Sequence, residues 1–469
     1  MTQRPTTPDA VAVDWAAMKG DLAPVVVIDE AVLVKKRSRD FFWYSPILNA
    51  RLKASFGDLV AQPVSKDELA HCLAVAFKHN APVVLRGGGT GNYGQSVPLH
   101  GGLIIETLGL KRILEIGPDF VRAEAGALMA DVNAALKEHG REMAMFPSTQ
   151  DIATIGGFVA GGSAGIGSVA NGPLRQEGNI REIRALSVEA TPQEHIFKGD
   201  DVLRIHHAWG LNGVITEVTL RTVPSRDWIS CMATFDSYSL AYRAGFALAN
   251  RHDIDRKLVS VVDARIAAYF PRLENHVPAG RDLLVSLVPR EQLDAFRDLV
   301  TAHQGCVALT MDDPARQAAG IPHVFEFGWN HTTLQVLKSD RSATYQQYGV
   351  NDPSDADGID DLHAKLGERA WMHHEFSRYD GAVTASDLPI IWTQDESALR
   401  AIDAIYATNG CTVYDAHTYQ VEGGGMKPDF RHLAVKKRMD PKGLLNPGKS
   451  RAWAEVSHLT PDEIEALAG

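Results

Sequence analysis

Hydrophobic and polar positions along the first half of the chain follow two periods, one typical of helices and one of short buried strands. Between Leu69 and Phe77 apolar residues recur at helical spacing, and Ser65 with Glu68 has the form of a capping box before them. A second helical pattern runs over 128–139. Strands are predicted for the apolar runs at 82–85, 103–105, 120–125, 183–188 and 213–223. Helices and strands mixed in this way indicate an α+β fold.

The pattern changes near Trp228, where longer amphipathic helices begin. Helices are predicted at 239–250 and 290–303, with strands at 283–287 and 324–327. A chain of 469 residues corresponds to two or three domains at about 150 residues per domain. We therefore expect an N-terminal segment, two α+β domains and a C-terminal segment, at 1–55, 56–227, 228–430 and 431–469.

Composition and charge exclude several classes of protein. The apolar share of 45% and the charged share of 22% are those of a folded protein. A net charge of −11 without a basic stripe argues against nucleic-acid binding. No apolar run is long enough to span a membrane, and the first residues lack the pattern of a secretory leader, so we expect a cytoplasmic protein. The four cysteines lie far apart without a CxxC motif, which argues against a zinc ribbon or an iron–sulfur cluster.

Two glycine-rich segments carry the strongest chemical signal. Residues 89–94 match GxGxxG after a predicted strand, but no helix opens directly afterwards, as a nicotinamide-dinucleotide fingerprint requires. The segment 155–167 has six glycines in thirteen positions, a composition that disfavours a helix interior. Each loop alone is compatible with a tight turn. Together their backbone N–H groups favour a large ligand with a diphosphate group.

Four stretches of sequence resemble the vanillyl-alcohol oxidase/para-cresol methylhydroxylase family of FAD flavoproteins. These are PVVLRGGGTGNYGQS, VRAEAGALMADVNAAL, FPSTQDIATIGGFVAGGSAGIGS with WGLNGVITEVTLRTVP, and MDPKGLLNPGK, in the order in which the family has them. The resemblance implies an α+β fold with a PCMH-type FAD-binding domain of two subdomains and an α+β substrate-binding cap domain. Residues 56–227 would be the FAD-binding domain, 228–430 the cap, and the C-terminal segment would return to the FAD domain.

The resemblance also implies the residues that line the cofactor. In the first loop and its continuation they are Arg86, Gly87, Gly88, Gly89, Thr90, Gly91, Asn92 and Ser96. Further along the chain they are Pro147, Ser148, Thr149, Thr154, Gly156, Gly157, Gly161, Ser163, Gly165, Gly167, Gly213, Val214, Ile215 and Asn446.

The mode of flavin attachment follows from two departures from the family. Members that attach FAD covalently in the first loop have histidine where this chain has Thr90, and no cysteine occurs between Cys72 and Cys231 for a second attachment. We therefore expect non-covalent FAD, with attachment to a cap histidine left open. Ala125 matches a position where relatives use a small residue to control oxygen access, and alanine there favours a dehydrogenase over an oxidase.

The second domain contains the candidate catalytic side chains. An alcohol that loses hydride to a flavin needs a base near its hydroxyl group, usually His or Tyr. Candidates in the clusters at 329–331, 371–378 and 414–422 are His331, His374, Arg378, His417 and Tyr419. If 414–422 is a strand, Asp415, His417 and Tyr419 share one face, as base catalysis requires. The alternative is a polar strand edge whose side chains are satisfied within the protein.

Three further expectations concern charged and metal-binding groups. His373 and His374 are predicted as an exposed helical pair, with Arg378 four residues past His374 on the same helix face. Lys338 and Arg341 are placed on a strand-to-turn segment, from which they would steer a carboxylate. No resident metal is expected. A metal held by His417, Glu422 and a further histidine is the alternative.

We expect an FAD-dependent oxidoreductase, a dehydrogenase rather than an oxidase, that oxidises the CH–OH group of a small hydroxy acid or alcohol with His417 or Tyr419 as base. One alternative is an oxygen-using oxidase of a phenolic or sugar-like alcohol. A second is an FAD-containing transferase resembling alkylglycerone-phosphate synthase, and a third is a flavin-binding protein without catalytic activity. The expected partner is a small-molecule substrate. The electron acceptor is not identified, and a homodimer is left open.

Overall fold

The computed structural model describes residues 13–424 and 426–468. The expectation of no secretory leader rests in part on residues 1–12, which lie outside the described residues. Within the described ranges, no helix is long and apolar enough to cross a bilayer. Three β-sheets and a two-stranded ribbon organise the chain, and the fold is α+β as predicted.

The first sheet is built around three parallel strands. The elements of this region are α1 (Trp15–Asp21), β1 (Val26–Ile28), α2 (Ala31–Arg37), α3 (Pro46–Leu52), β2 (Leu59–Gln62), α4 (Lys66–His79), β3 (Val83–Arg86) and β4 (Leu103–Glu106). The order is β1-β2-β4-β3, with β1 antiparallel to β2. Ser65 Oγ accepts the N–H of Glu68 at 3.2 Å, while the Glu68 carboxylate accepts the N–H of Val64 at 2.9 Å. The predicted helix is confirmed, with only the Ser65 half of the capping box formed.

The second sheet is antiparallel and follows directly in sequence. Its elements are β5 (Ile113–Ile116), β6 (Phe120–Glu124), α5 (Met129–Lys137), β7 (Arg141–Met143), α6 (Ile155–Gly161), α7 (Ser168–Asn171), β8 (Ile180–Leu186), β9 (Glu194–Lys198) and β10 (Val214–Pro224). The strand order is β5-β6-β10-β8-β9, and β7 pairs with the end of β10. The strands expected from the apolar runs in this region are therefore confirmed.

Helix α6 corrects the expectation that the second glycine-rich segment disfavours a helix. A Cβ built on Gly156 would lie 2.5 Å from the Cβ of Ala125, closer than real side chains approach. The helix thus packs almost backbone to backbone against the end of β6. Glycine costs helix propensity here, but no other residue fits the contact.

The third sheet carries the second half of the chain. Its region contains β11 (Trp228–Phe235), α8 (Tyr238–Asn250), β12 (Leu258–Val262), α9 (Ala264–Ala267), β13 (Asp282–Pro289), α10 (Leu293–Ala302), β14 (Cys306–Met311), α11 (Asp313–Ala319), α12 (Asn330–Ser339), β15 (Thr344–Tyr345), β16 (Gln347–Val350), α13 (Ala356–Leu366), β17 (His373–Tyr379), β18 (Ala382–Asp387), β19 (Ile390–Ile391), α14 (Glu396–Thr408) and β20 (Cys411–Tyr414). Eight strands form one antiparallel sheet in the order β14-β11-β13-β12-β17-β18-β16-β20. The remaining two, β15 and β19, pair with each other.

The two faces of this sheet belong to different cores. Cys231 and Ala233 of β11 pack with α8, α10, α13 and α14, whereas Met232 between them packs with Met145 and Phe146 of the preceding region. Successive residues of a strand point to opposite faces, so one face holds the helices and the other covers the region of the second sheet.

Two expectations in this region are wrong. Residues 324–327 form a 3-10 turn, because a short apolar run cannot by itself distinguish a buried turn from a strand. Lys338 lies in the last turn of α12, with Nζ 3.1 Å from Gln335 Oε1, and Arg341 lies over the ring of Trp43.

The C-terminal segment returns to the first sheet. It contains α15 (Phe430–Met439), α16 (Ala452–Val456) and α17 (Pro461–Ala466). Leu445 forms a parallel bridge with Val83, and the N–H of Asn446 donates to the Val83 carbonyl at 2.7 Å. The segment therefore lies beside β3, the strand that leads into the first glycine-rich loop.

Candidate active site

A cavity of about 1030 Å³ runs between the glycine-rich loops and the third sheet. Its walls come from the loop after β3, the segment 147–165, the start of β10, the N-terminus of α12, strands β16, β18 and β20, and the segment 418–433. This volume lies at the upper end of the roughly 300–1,000 Å³ typical of ligand pockets. Segments from both halves of the chain thus form one continuous wall.

The first glycine-rich loop presents free backbone donors to this cavity. Among the described residues, none accepts a hydrogen bond from the N–H groups of Gly88, Gly89, Thr90 or Gly91. A Cβ on Gly88 would lie 1.8 Å from the carbonyl oxygen of Ile152, so this loop rests directly against the turn that leads into the second glycine-rich segment. Unpaired N–H groups on a glycine loop are typical of an anion site.

Other buried polar atoms near the loops also lack a partner. Within the described ranges, Ser96 Oγ, Trp209 Nε1 and Asn446 Oδ1 form no hydrogen bond. The Nδ2 group of Asn446 is held by the carbonyls of Gln95 and Trp209, at 2.8 and 2.7 Å. Buried polar groups are normally paired. Free loop donors together with these orphaned atoms fit a polar, phosphate-bearing cofactor such as FAD.

The structure places most of the sequence-predicted cofactor residues on the cavity wall. Those that line it are Gly87, Gly88, Gly89, Thr90, Gly91, Asn92, Ser96, Pro147, Ser148, Thr149, Thr154, Gly156, Gly157, Gly161, Ser163, Gly165, Gly213 and Ile215. Four lie behind the wall: Arg86, Gly167, Val214 and Asn446. Arg86 donates to the carbonyl of Arg39 at 2.5 Å, and burial lowers the pKa of its guanidinium.

His417 and Tyr419 lie outside the cavity wall. Strand β20 ends at Tyr414 and turns follow, so the alternation expected for 414–422 is wrong. His417 is buried with Nδ1 2.7 Å from Ser45 Oγ, and burial lowers its pKa. Tyr419 packs with Leu52 and its neighbours. The acid, imidazole and phenol are therefore not presented together on one face.

Glu422, the second residue of the alternative metal site, is occupied by protein groups. Its carboxylate accepts from Ser450 Oγ and from the N–H of Arg451. Among the residues that the structure describes, no group of three or more His, Cys, Asp or Glu is placed to hold a metal ion.

His374 and Arg378 lie on strand β17, which corrects the expectation of an exposed helical pair. His374 is fully buried with Nδ1 2.6 Å from Tyr238 Oη, and burial lowers its pKa to about 3. Arg378 donates to the carbonyls of Gly381 and Ala249, both at 2.7 Å. Both side chains stabilise the packing of the third sheet and do not line the cavity.

His331 is the one candidate base that the structure places on the cavity wall among those predicted. It lies in the first turn of α12 and is 6% exposed. Its Nδ1 is 3.0 Å from Glu326 Oε2, an ion-pair distance without hydrogen-bond alignment. Within the described part of the chain no group bonds to Nε2, so this nitrogen is available to a ligand.

Several polar residues of the wall were not predicted from the sequence, notably His206, His207 and Arg175. His206 Nδ1 lies 2.8 Å from the Val159 carbonyl, and burial lowers the pKa of His206 to about 3 and of His207 to about 4. These imidazoles are therefore neutral at pH 7. The available signal was their position immediately before the WGLNG stretch.

Comparison with known proteins defines the class of this site. A family model described as "FAD binding domain" matches residues 57–189. The chain therefore carries a PCMH-type FAD-binding domain, as the resemblance implied, and FAD is its cofactor.

The individual relatives extend this result. The glycolate oxidase subunit GlcD of Escherichia coli (strain K12) is 29% identical over 204 residues, 41% of this chain and 39% of the relative. A D-lactate dehydrogenase of Archaeoglobus fulgidus is 27% identical over 189 residues, 38% of this chain and 41% of the relative. The matched part thus spans about two-fifths of these curated relatives.

A solved structure titled alkyldihydroxyacetonephosphate synthase matches the fold with a TM-score of 0.70 at 14% identity, over 95% of this chain and 87% of that one. This likeness shows that the architecture is shared along nearly the whole chain.

Proposed function

We infer that the protein is an FAD-dependent dehydrogenase that oxidises the CH–OH group of a small 2-hydroxy acid to a carbonyl group. The observation that carries this proposal is His331, whose Nε2 has no hydrogen-bond partner among the described residues, on the wall of the cavity that the FAD-binding loops also line. The names of the relatives, glycolate oxidase subunit and D-lactate dehydrogenase, supply the substrate class.

The FAD-binding loops would hold the cofactor through the free N–H groups of Gly88 to Gly91 and the wall residues of the second loop. Bound FAD would supply the two-electron acceptor for the hydride of the alcohol. The division into an FAD-binding domain at 56–227 and a cap at 228–430 is part of this proposal.

The hydroxyl proton requires a protein base, and we assign this role to His331 in place of His417 or Tyr419. The Glu326 carboxylate beside Nδ1 favours the tautomer with the proton on that nitrogen. Nε2 is then the acceptor for the substrate hydroxyl proton. A carboxylate that orients a histidine in this way is a recurring arrangement in base catalysis.

Anaerobic mixing of the FAD-loaded protein with glycolate, D-lactate and a neutral alcohol tests the proposal. We expect the oxidised flavin absorbance to bleach with at least one hydroxy acid. His331→Asn should slow the bleaching by about 10²–10⁴-fold, whereas His195→Asn, at an exposed histidine, should leave it unchanged. A flavin that no hydroxy acid reduces would refute the function, and wild-type rates in His331→Asn would refute the base.

The transferase alternative had its sequence support in the pair His373-His374, and these residues are buried in β17. No observation at the cavity favours it. An unchanged flavin spectrum with every hydroxy acid would return it to consideration.

We also propose that FAD is held without a covalent bond. Thr90 occupies the wall where some relatives of the family have histidine, and cysteine is missing among the described residues that line the cavity. Acid precipitation should release all of the flavin into the supernatant. Yellow colour retained in the precipitate would contradict this.

A further inference from the structure

We propose that Glu375 of β17 is a positioning residue for the candidate base. Its buried carboxylate holds the bend of the backbone at Trp329, and this bend brings His331 against Glu326. The inference rests on the proposed function for the role of His331 in the reaction.

The first observation is the backbone of Trp329, which lies between the two members of the His331–Glu326 pair. Glu326 belongs to the 3-10 turn before α12, and His331 belongs to the first turn of the helix itself. Trp329 has a φ of 52° and a ψ of −143°, outside the regions that residues other than glycine normally adopt. Such a conformation persists only where neighbouring groups hold it. The distance of 3.0 Å between Glu326 Oε2 and His331 Nδ1 therefore depends on the groups that fix Trp329.

The second observation is a hydrogen bond that fixes Trp329 from another element. The N–H of Trp329, the residue that precedes the first turn of α12, donates to Glu375 Oε1 at 2.5 Å. In a capping box this N–H is accepted by a Glu or Gln three residues later in the same helix. Helix α12 has Thr332 at that position, and its hydroxyl donates instead to the Phe327 carbonyl at 2.8 Å. Strand β17 thus supplies the acceptor that the helix lacks.

The carboxylate of Glu375 is itself held in place by two further groups. Ser260 Oγ donates to Oε2 at 2.7 Å, and His373 Nε2 lies 2.8 Å from Oε1. An ionised carboxylate only accepts hydrogen bonds, so the nitrogen of His373 carries the hydrogen of this contact. Ser260, His373 and Glu375 are each at most 1% exposed, so water does not compete with these partners.

The chain before Trp329 lies directly on this carboxylate. A Cβ on Gly328 would be 3.1 Å from Glu375 Oε1 and 3.0 Å from Ser260 Oγ. Loss of the acceptor would leave the N–H of Trp329 without a partner, at a cost in free energy that favours a different backbone conformation. The turn that carries Glu326 and the helix that carries His331 would then change their relative position. Glu375 therefore acts on the imidazole through the backbone.

The test observes the His331 imidazole by nitrogen-15 NMR of the full-length, FAD-loaded protein labelled at histidine. The His331 signal is the one that disappears in His331→Asn. Glu375→Leu has a side chain of similar size without an acceptor, and we expect it to shift the His331 signal. Anaerobic bleaching of the flavin at saturating hydroxy acid should be slowed about 10–100-fold, with a smaller change in KM. Glu375→Gln keeps an acceptor for the N–H of Trp329 and should reverse most of both effects.

A double-variant cycle with His331→Asn distinguishes positioning of the base from a general structural role. If Glu375 acts through His331, Glu375→Leu should slow a protein that already lacks the imidazole by less than about twofold. Equal slowing in both backgrounds, or an unchanged His331 signal in Glu375→Leu, would overturn the proposal. Glu68→Leu is the matched control, because Glu68 accepts the N–H of Val64 at the start of α4 and is not a residue of the cavity wall. It should change neither the signal nor the rate.

Glu375→Asp decides the question if Glu375→Leu does not fold. It keeps the charge, but its carboxylate reaches about 1.5 Å less far, so the N–H of Trp329 loses its acceptor. We expect the same shift of the His331 signal. A wild-type His331 signal in Glu375→Asp would overturn the proposal.

The two measurements separate this inference from the proposed function. If no hydroxy acid bleaches the flavin but Glu375→Leu shifts the His331 signal, the oxidation is refuted and the positioning of His331 by Glu375 stands. If a hydroxy acid bleaches the flavin and the signal does not move, the oxidation stands and the positioning is refuted.

Discussion

Gly88 is required by the contact between the first glycine-rich loop and the turn before α6. Its missing side chain leaves room for the Ile152 carbonyl, which a Cβ would approach to 1.8 Å. Because the clash is with backbone, Gly88→Ala can be accommodated only if the loops separate, at a cost of about 1–3 kcal/mol. We expect the FAD content of the purified protein and its affinity for added FAD to fall about tenfold or more.

Gly20→Ala provides the matched control for that substitution. Gly20 lies in α1 with open space around its Cα, so the same change there should leave FAD content unaffected. Full FAD occupancy in Gly88→Ala would show that the loops do not cradle the cofactor.

Ala125 offers a second test with a single methyl group. It is buried, it lines the cavity and its Cβ faces Gly156. The resemblance to the flavoprotein family implies that a small residue here controls oxygen access. We expect Ala125→Gly to open that space and to raise the share of turnover that yields hydrogen peroxide in air. Equal peroxide formation by the wild type and the variant would remove Ala125 from this role.

At the scale of whole elements, periodicity predicted much of the fold and little of the catalytic site. The helix after Ser65 and strands β3, β4, β6, β8 and β10 follow from local apolar spacing, whereas the other strands of the first two sheets are short or partly exposed and were not predicted. The glycine-rich segments could be identified from composition as a site for a ligand with a diphosphate group, and the family resemblance specified FAD. Adjacent histidines at 373 and 374 have no such signature, since a two-residue pair fits a helix or a strand equally.

The position of the candidate base shows the same limit. His417 and His331 both stand in polar, aromatic surroundings in the sequence, and only tertiary packing distinguishes them. The Nδ1 of His417 lies 2.7 Å from the Oγ of Ser45, a residue of a distant segment, inside the protein. His331, at the start of α12, lies on the cavity wall. Contacts between residues hundreds of positions apart leave no local pattern from which to infer them.

Strand β17 provides a pH-dependent prediction. The folded protein keeps His374 neutral, with its pKa lowered to about 3 by burial, while in the unfolded chain it protonates near 6.5. On acidification from pH 6.5 to pH 4 only the unfolded chain takes up this proton, so stability falls as the pH falls. The loss from this one residue is about 3 kcal/mol at 1.36 kcal/mol per pH unit.

Urea unfolding at the two pH values measures this effect. His374→Asn retains a polar partner for Tyr238 Oη but does not titrate. The difference in free energy of unfolding between the wild type and this variant should therefore be smaller at pH 4 than at pH 6.5, by about 3 kcal/mol. The exposed His195 gives the control, and His195→Asn should follow the wild type at both pH values. If the difference in free energy of unfolding between the wild type and His374→Asn were the same at both pH values, His374 would not be held neutral by the fold.

At the scale of the whole molecule, one buried ion pair joins the FAD-binding region to the third sheet. Lys257 of the loop before β12 has Nζ 2.8 Å from Glu142 Oε1 of β7, and both side chains are almost completely buried. Trp228 Nε1 donates to the same carboxylate at 2.8 Å. The Lys257 carbonyl accepts the N–H of Gly167 at 2.7 Å, at the end of the second glycine-rich segment. The ion pair therefore links the position of the third sheet to the position of the second glycine-rich segment, which lines the cofactor cavity.

Removal of one partner should destabilise the whole molecule. Lys257→Met leaves the Glu142 carboxylate buried without its cation, a change that costs about 3–5 kcal/mol in comparable pairs. The double variant Lys257→Met/Glu142→Gln removes the charge, retains an acceptor for the Trp228 indole and should recover most of that loss. Lys198→Met removes an exposed cation from Glu182, which keeps Arg184 as a partner, and should cost less than about 1 kcal/mol.

Denaturant unfolding followed by protein and flavin fluorescence reports the sheet and the cavity together. Because the ion pair lies between the two regions, we expect Lys257→Met to lower the denaturant concentration at the midpoint of both transitions. FAD should be released at the same denaturant concentration at which the third sheet unfolds. A Lys257→Met protein as stable as the wild type, or a double variant no more stable than the single one, would show that packing of Met232 against Met145 and Phe146 holds the two regions without the pair.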